Sequence, residues 1–346
     1  MCSGRLIRRV VAVAMTTLLA AGMAPAGATP SDGRPTSIRT EPLRLYAGTQ
    51  PAAPALGSIT DRALATSDGV RRTYRLFVPE GLSSPAPLLV ALHGGLGSGK
   101  QFEASSNFNG LATANGFVVA YPDGVTRSPD GSGGARTWNA GKCCGPAVVR
   151  QVDDVAFLRA VVDEVGGNHR IDRSRVYAAG HSNGAMMALR LACEASDVFV
   201  AVGIQSGSLE TSTCSPRRSV SLIQIHGTAD ANIPIAGGKG SGVAGVAFSP
   251  PRHAAQTLAR MDDCLAKPQR LRDTSNSDLL MSRWKSCSPG TGVEFLAVEG
   301  ASHAWMGRPS PSPWADEHTG KPFMKLDSSR AIWAFLSAHP REQPRR

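Results

Sequence analysis

Two spacings divide this chain of 346 residues. "RRTYRLFVP" (71–79) alternates apolar and polar positions, which predicts a half-buried strand. "LLVAL" (88–92), "FVVAYP" (117–122), "RVYAAG" (175–180), "VAVGIQSG" (200–207), "SLIQIHG" (221–227) and "VEFLAVEG" (293–300) are compact apolar runs of buried-strand length. Between them, apolar residues recur every three or four positions. That spacing predicts helices over "VDDVAFLRAVVDEV" (152–165), "GAMMALRLACEA" (184–195), "HAAQTLARMDDC" (253–264) and "SSRAIWAFLSAHP" (328–340). Asp153 and Asp154 stand at the start of the first helix, where caps belong. Alternating strands and helices predict the α/β class, a mostly parallel sheet with helices on both faces, in one domain over 61–340. Residues 29–60 are rich in Pro, Ala, Thr, Ser and Gly without a period and read as a flexible linker, and 341–346 as a disordered tail.

The N-terminus changes the compartment. Arg5, Arg8 and Arg9 precede the apolar "VVAVAMTTLLAAGMA", and small residues follow at 26–28. This predicts a secretory signal over 1–28, cut before Thr29, with Sec or twin-arginine export left open. The protein is then secreted, extracellular or periplasmic, with no stable membrane span. The formal charge of +10 falls to +7 without those three arginines, and Lys and Arg are scattered rather than clustered. A nucleic-acid partner is therefore not expected. Six cysteines remain after Cys2 is removed: Cys143, Cys144, Cys193, Cys214, Cys264 and Cys287. An even number in an exported chain points to disulfides, and the spacings fit no zinc pattern, so no metal is expected.

The chemistry concentrates at "RVYAAGHSNGAMMALRLA". Gly180-His181-Ser182-Asn183-Gly184 is a G-x-S-x-G between a predicted strand and helix, the context of a nucleophile elbow. Ser182 needs a base to become nucleophilic. Such folds order the partners as Ser, acid, then His. Asp230 in "LIQIHGTADANIPI" follows a buried strand in a turn, and His303 in "VEFLAVEGASHAWMG" follows the last strand. They are the candidate acid and base. The oxyanion of a tetrahedral intermediate needs two N–H donors: one from Asn183, the other from Gly95 or Leu96 in "LHGGLGSG". That last stretch also fits most of a phosphate-binding loop, but Gln101 stands where Ser or Thr should hold Mg²⁺. No nucleotide and no cofactor are expected.

"LVALHGG", "YPDG", "TWNAGKCCG", "VDDVAFLRAVVDEV", "RVYAAGHSNGAMMALRLAC", "QIHGTAD" and "HAWMG" occur in this order between about residues 68 and 337. In this combination the chain resembles the secreted esterases of the polyhydroxybutyrate depolymerase and feruloyl esterase group, the LpqC-like α/β hydrolases. The resemblance implies an α/β-hydrolase fold, an ester substrate, and Ser182, Asp230 and His303 as nucleophile, acid and base. It also implies that Cys193 pairs with Cys214 and Cys264 with Cys287, leaving Cys143 and Cys144 either bridged or reduced. One position departs: the group reads H-x-W-P-G where this chain has Met306. No separate polymer-binding domain follows, so solid polyester is not the expected substrate.

Trp138 and Trp305 are candidates for lining an acyl pocket, with core packing as the alternative. "AGGKGSGVAGVAFSPP" (236–251) is either a substrate lid or a surface insertion. Met186 and Met187 are expected to fill the core under the elbow. The main reading is a serine ester hydrolase acting on oligomeric polyester or feruloyl polysaccharide. The alternatives are an acyltransferase or peptidase on the same fold, or a catalytically silent cell-wall or carbohydrate-binding module. Oligomeric state is open.

Overall fold

A computed structural model describes residues 38–41, 43, 54–66, 69–83, 85–128 and 134–341. The predicted signal over 1–28 lies outside the described residues.

The strands are β1 (Arg39–Glu41), β2 (Gly57–Ala65), β3 (Arg71–Pro79), β4 (Ala86–Leu92), β5 (Val118–Pro122), β6 (Ile171–His181), β7 (Ala201–Gln205), β8 (Ser221–Gly227), β9 (Gly238–Lys239), β10 (Ala247–Phe248), β11 (Gln269–Asp273), β12 (Leu279–Trp284) and β13 (Val293–Val298). The helices are α1 (Gly99–Ser106), α2 (Phe108–Asn115), α3 (Gly145–Val149), α4 (Asp154–Asn168), α5 (Asn183–Glu194), α6 (Arg252–Met261), α7 (Pro313–Thr319) and α8 (Ser328–Ser337). Among the described residues, eleven strands form one sheet in the order β1-β11-β12-β13-β8-β7-β6-β4-β5-β3-β2, and β9 pairs with β10. The central run from β5 to β13 is parallel, and the flanks β2-β3-β5 and β11-β12-β13 are antiparallel.

This arrangement follows from burial. Every residue of β4, β5, β7 and β8 is buried, as strands covered on both faces require. Two apolar clusters, one on each face of the sheet, take alternate residues of these strands: Leu88, Val90 and Leu92 face α4 and α5, while Leu89 and Ala91 face α1, α2 and α8. Met186 and Met187 are in the first cluster. The chain passes from β4 to β5 on one side and returns to β6 on the other. Strand order therefore reverses beside β4, and the carboxyl ends of β4 and β6 border the crevice where open α/β sheets bind ligands.

Several expectations change. Within 29–60, Arg39–Glu41 pairs with β11, and β2 begins at Gly57, four residues before the expected domain start. Arg341, assigned to the tail, donates its N–H to the Ser174 carbonyl. Asp153 does cap α4, accepting the Ala156 N–H at 2.9 Å. Asp154 does not: its carboxylate is fully buried and pairs with Arg72 at 2.7 Å. Its alternate bond, to the Asn139 N–H at 2.7 Å, ties α4 to the loop before α3.

Candidate active site

Ser182, Asp230 and His303 follow the carboxyl ends of β6, β8 and β13, three strands of the central parallel run. β6 ends at His181, and Ser182 turns the chain into α5 with φ 54° and ψ −119°. Positive φ is strained for a residue with a Cβ, and an elbow that projects its side chain requires it. The flanking glycines are needed for space. A Cβ on Gly180 would overlap the Gly184 backbone, and one on Gly184 would overlap the Leu92 carbonyl.

Asp230 lies in the turn after β8 and His303 in the loop after β13. His303 Nδ1 is 2.8 Å and 3.0 Å from the two carboxylate oxygens of Asp230, and Nε2 is 2.8 Å from Ser182 Oγ. With Asp230 ionised, Nδ1 carries the proton and Nε2 accepts the hydroxyl of Ser182. Burial works to raise the Asp230 carboxyl, but His303, His226 and the Ile233 N–H outweigh it and hold it below the usual range. Asp230 Oδ1 also accepts the N–H groups of Asn232 and Ile233, at 3.0 Å and 2.9 Å, which fixes the turn.

On the other side of Ser182, Asn183 opens α5, where a helix leaves its first N–H groups without an intrahelical acceptor. Its side chain closes two bonds on the Trp138 backbone, accepting its N–H at 2.7 Å and donating to its carbonyl at 3.1 Å. Trp138 in turn donates Nε1–H to the His93 carbonyl at 3.0 Å. His93 accepts the Gly124 N–H on Nε2 and contacts the Gly94 carbonyl through Nδ1, so Nδ1 holds the proton. Burial lowers its pKa to about 4, which keeps the ring neutral. Gly95 adjoins Asn183, and its N–H has no acceptor among the described residues. The Leu96 N–H, by contrast, is donated to the Arg136 carbonyl at 2.8 Å. Of the two candidate donors, only Gly95 is uncommitted.

Three further expectations are corrected or refined. Trp138 is 0% exposed and Trp305 8% exposed, so neither lines an open acyl pocket. Trp138 braces the loop after β4, and Trp305 packs on Phe102, Phe108 and His181 while donating to Ser329 Oγ. The turn resembling a phosphate-binding loop is built around a carboxylate. Asp123 Oδ1 accepts the Gly99 N–H at 2.9 Å, at the helix start where a phosphate would sit. The segment 236–251 is tethered by the short β9–β10 ladder, the buried Phe248 and a Ser241 N–H bond to the Ala231 carbonyl.

Cys193 is joined to Cys214, Cys264 to Cys287, and Cys143 to its neighbour Cys144. The second of these closes the base of the β11–β12 hairpin. Among the described residues no group of three or more His, Cys, Asp or Glu is placed to hold a metal ion, and no helix is long and apolar enough to cross a membrane.

Of the polar residues that brace the Ser–His–Asp constellation, the motif reading marks His181, inside the G-x-S-x-G, but neither His226 nor Gln205. His181 contacts the His303 carbonyl through Nε2 at 2.8 Å, His226 contacts the Ile233 carbonyl at 2.8 Å, and Gln205 bonds the His303 loop. His181 and Gln205 end their strands and His226 is the penultimate residue of β8; a His or Gln closing an apolar strand is the signal that points to them.

The sheet, its crossovers and the residues at its carboxyl edge define an α/β hydrolase. The chain belongs to the esterase family described as Esterase PHB depolymerase, whose model matches residues 72–236. It is 30% identical over 316 residues to a protein named "Putative esterase NocK" from Nocardia uniformis subsp. tsuyamanensis, covering 86% of this chain and 88% of the relative. It is 29% identical over 226 residues to feruloyl esterase B from Piromyces equi, covering 63% of this chain but 40% of that protein's length. In fold it is similar to the acetyl xylan esterase from Aspergillus awamori, with a TM-score of 0.55 and 17% identity over 71% of this chain and 94% of the other.

Proposed function

We propose that this chain is a secreted serine ester hydrolase that works through an acyl-enzyme. The observation that carries the reading is the continuous hydrogen-bonded line from Asp230 through His303 to Ser182 Oγ. Ser182 attacks the ester carbonyl while His303 Nε2 takes its proton. Asp230 holds the ring in the Nδ1–H tautomer and stabilises the imidazolium. The N–H groups of Asn183 and Gly95 receive the oxyanion. His303 then protonates the leaving alcohol, and a water deprotonated by the same nitrogen releases the acid. Disulfides in an esterase family chain support export, and the signal at 1–28 is the proposed route. The proposed substrates are soluble hydroxyalkanoate oligoesters or feruloyl esters of polysaccharide, after the family description and the feruloyl esterase relative.

The test is hydrolysis of methyl ferulate and of a 3-hydroxybutyrate oligomer by the wild type and Ser182→Ala. Turnover of one substrate that vanishes in the folded variant assigns both mechanism and substrate class. Undiminished turnover in Ser182→Ala rejects the serine mechanism.

A further inference from the structure

Gln205 is the last residue of β7 and is fully buried. Its backbone carbonyl accepts the N–H of Ser182 at 3.0 Å. Its side chain reaches the other partner. Nε2 donates to the Ala304 carbonyl at 2.9 Å, and Oε1 accepts the Met306 N–H at 3.0 Å. A backbone N–H can only donate, so Met306 fixes which way round the amide sits. One residue thus grips the nucleophile's backbone and both peptide groups flanking Trp305, directly after His303. His181 adds a third bond, from Nε2 to the His303 carbonyl.

Met306 gives the arrangement its particular form. A proline at this position would have no N–H to offer. In this chain the Met306 N–H exists and Gln205 uses it. We propose that Gln205 is a positioning residue, clamping the His303 loop to the nucleophile elbow through a two-bond amide that Met306 completes. The inference rests on the reading of Ser182 and His303 as nucleophile and base. Its physical basis is that reacting groups displaced by about 1 Å can lose on the order of a hundredfold in rate.

The test uses the whole chain and 4-nitrophenyl acetate, with Gln205→Leu, Gln205→Glu, Met306→Pro and Gln205→Leu/Met306→Pro, each checked for folding by circular dichroism. Gln205→Leu is expected to lower kcat by about 10- to 100-fold with KM within about twofold, since only alignment is lost. Met306→Pro lowers kcat in the wild-type background and has no further effect beside Gln205→Leu, because the two changes remove the same bond. Gln205→Glu separates alignment from mere filling of space. A protonated carboxyl can still donate to the Ala304 carbonyl, whereas an ionised one repels it. Its kcat therefore falls as pH rises through the range where the wild type is level. A folded Gln205→Glu with the wild-type rate and pH profile would overturn the inference, as would additive effects of Gln205→Leu and Met306→Pro. If Gln205→Leu does not fold, Gln205→Glu and Met306→Pro alone decide, by the same pH profile and by loss or retention of kcat. His303→Ala is run alongside. Turnover surviving in it rejects the base assignment itself; a dead His303→Ala beside wild-type-like Gln205 and Met306 variants rejects the clamp alone.

Discussion

The two sides of Ser182 are built from different materials. On the oxyanion side the supports end in a buried ion pair: Asn183 grips Trp138, the next residue Asn139 donates to Asp154, and Asp154 pairs with Arg72. Arg72 also lies 4.1 Å over the Phe157 ring. On the base side the supports are neutral. Gln205 is an amide, and burial keeps His181 and His226 uncharged, His181 falling to about 3. Among the described residues, Asp230 is then the one ionised group hydrogen-bonded to His303. The difference fits the proposed mechanism. There the oxyanion side supplies fixed backbone dipoles, for which any rigid anchor serves. The proposed base side must gain and lose a proton, and a second fixed charge there would bias the imidazole.

The largest break in this contrast is expected from Asp230→Asn. It removes the one charge on the base side and frees His303 to adopt the wrong tautomer. We expect kcat/KM to fall on the order of 10⁴-fold with the fold retained, read by ester hydrolysis and circular dichroism. Asp154→Ala attacks the other side through stability. It strands Arg72 and the Asn139 N–H in the interior, and about 3–5 kcal/mol should be lost in urea denaturation. The Arg72→Met/Asp154→Leu pair should recover a large part of that. If the single variant is as stable as wild type, the oxyanion side does not depend on its ion pair.

The neutral histidines give the contrast a pH signature. His93 and His181 are held at about 4 and about 3, whereas an unfolded histidine titrates near 6.5. As pH falls below about 6.5, the unfolded chain binds protons that the folded chain refuses. Each imidazole then removes about 1.4 kcal/mol of stability per pH unit, until about pH 4 for His93 and about pH 3 for His181. The lowered carboxyl of Asp230 adds nothing to the slope above about pH 4. Its contribution is complete above the unfolded value of about 3.9 and fades only below it. His181→Gln, which keeps a donor for the His303 carbonyl, should make the fall between pH 6.5 and 4 shallower. Urea midpoints at several pH values measure it, and an unchanged slope would count against a buried neutral His181.

The two sides also differ in how far the sequence exposes them. Ser182, Asp230 and His303 each follow a compact apolar run, so periodicity locates the strand ends and residue chemistry picks the rest. β3 and β8 match their predicted spans. β11 and β12 were not legible because they form an edge hairpin of mixed composition, "QRLRD" and "LLMSRW", whose pairing is set by partners rather than by its own pattern. β2 was hidden in the same way, being mostly exposed. Trp138 misleads because sequence reveals an aromatic's size but not its direction; its indole faces the His93 carbonyl. Asp154 misleads because two adjacent acids at a helix start look alike, and only the distant Arg72 separates cap from ion pair.

The smallest expected effect separates the two oxyanion candidates. Leu96 has φ 69° and is 40% exposed, so its side chain is both strained and little buried. A non-glycine residue in this region is disfavoured by about 1–2 kcal/mol. Glycine would remove that strain but raises the entropy of the unfolded chain, by about 0.4–1 kcal/mol. Leu96→Gly should therefore stabilise the protein by about 0–1.6 kcal/mol. Because the Leu96 N–H is bonded to Arg136 rather than turned to the oxyanion, kcat should stay within about twofold, against the hundredfold or more that follows loss of an oxyanion donor. A thermal melt reads the first quantity and ester turnover the second. A gain in stability joined to a tenfold loss of kcat would mean that the loop swings Leu96 into the site when substrate binds, and that the oxyanion side is the more mobile of the two.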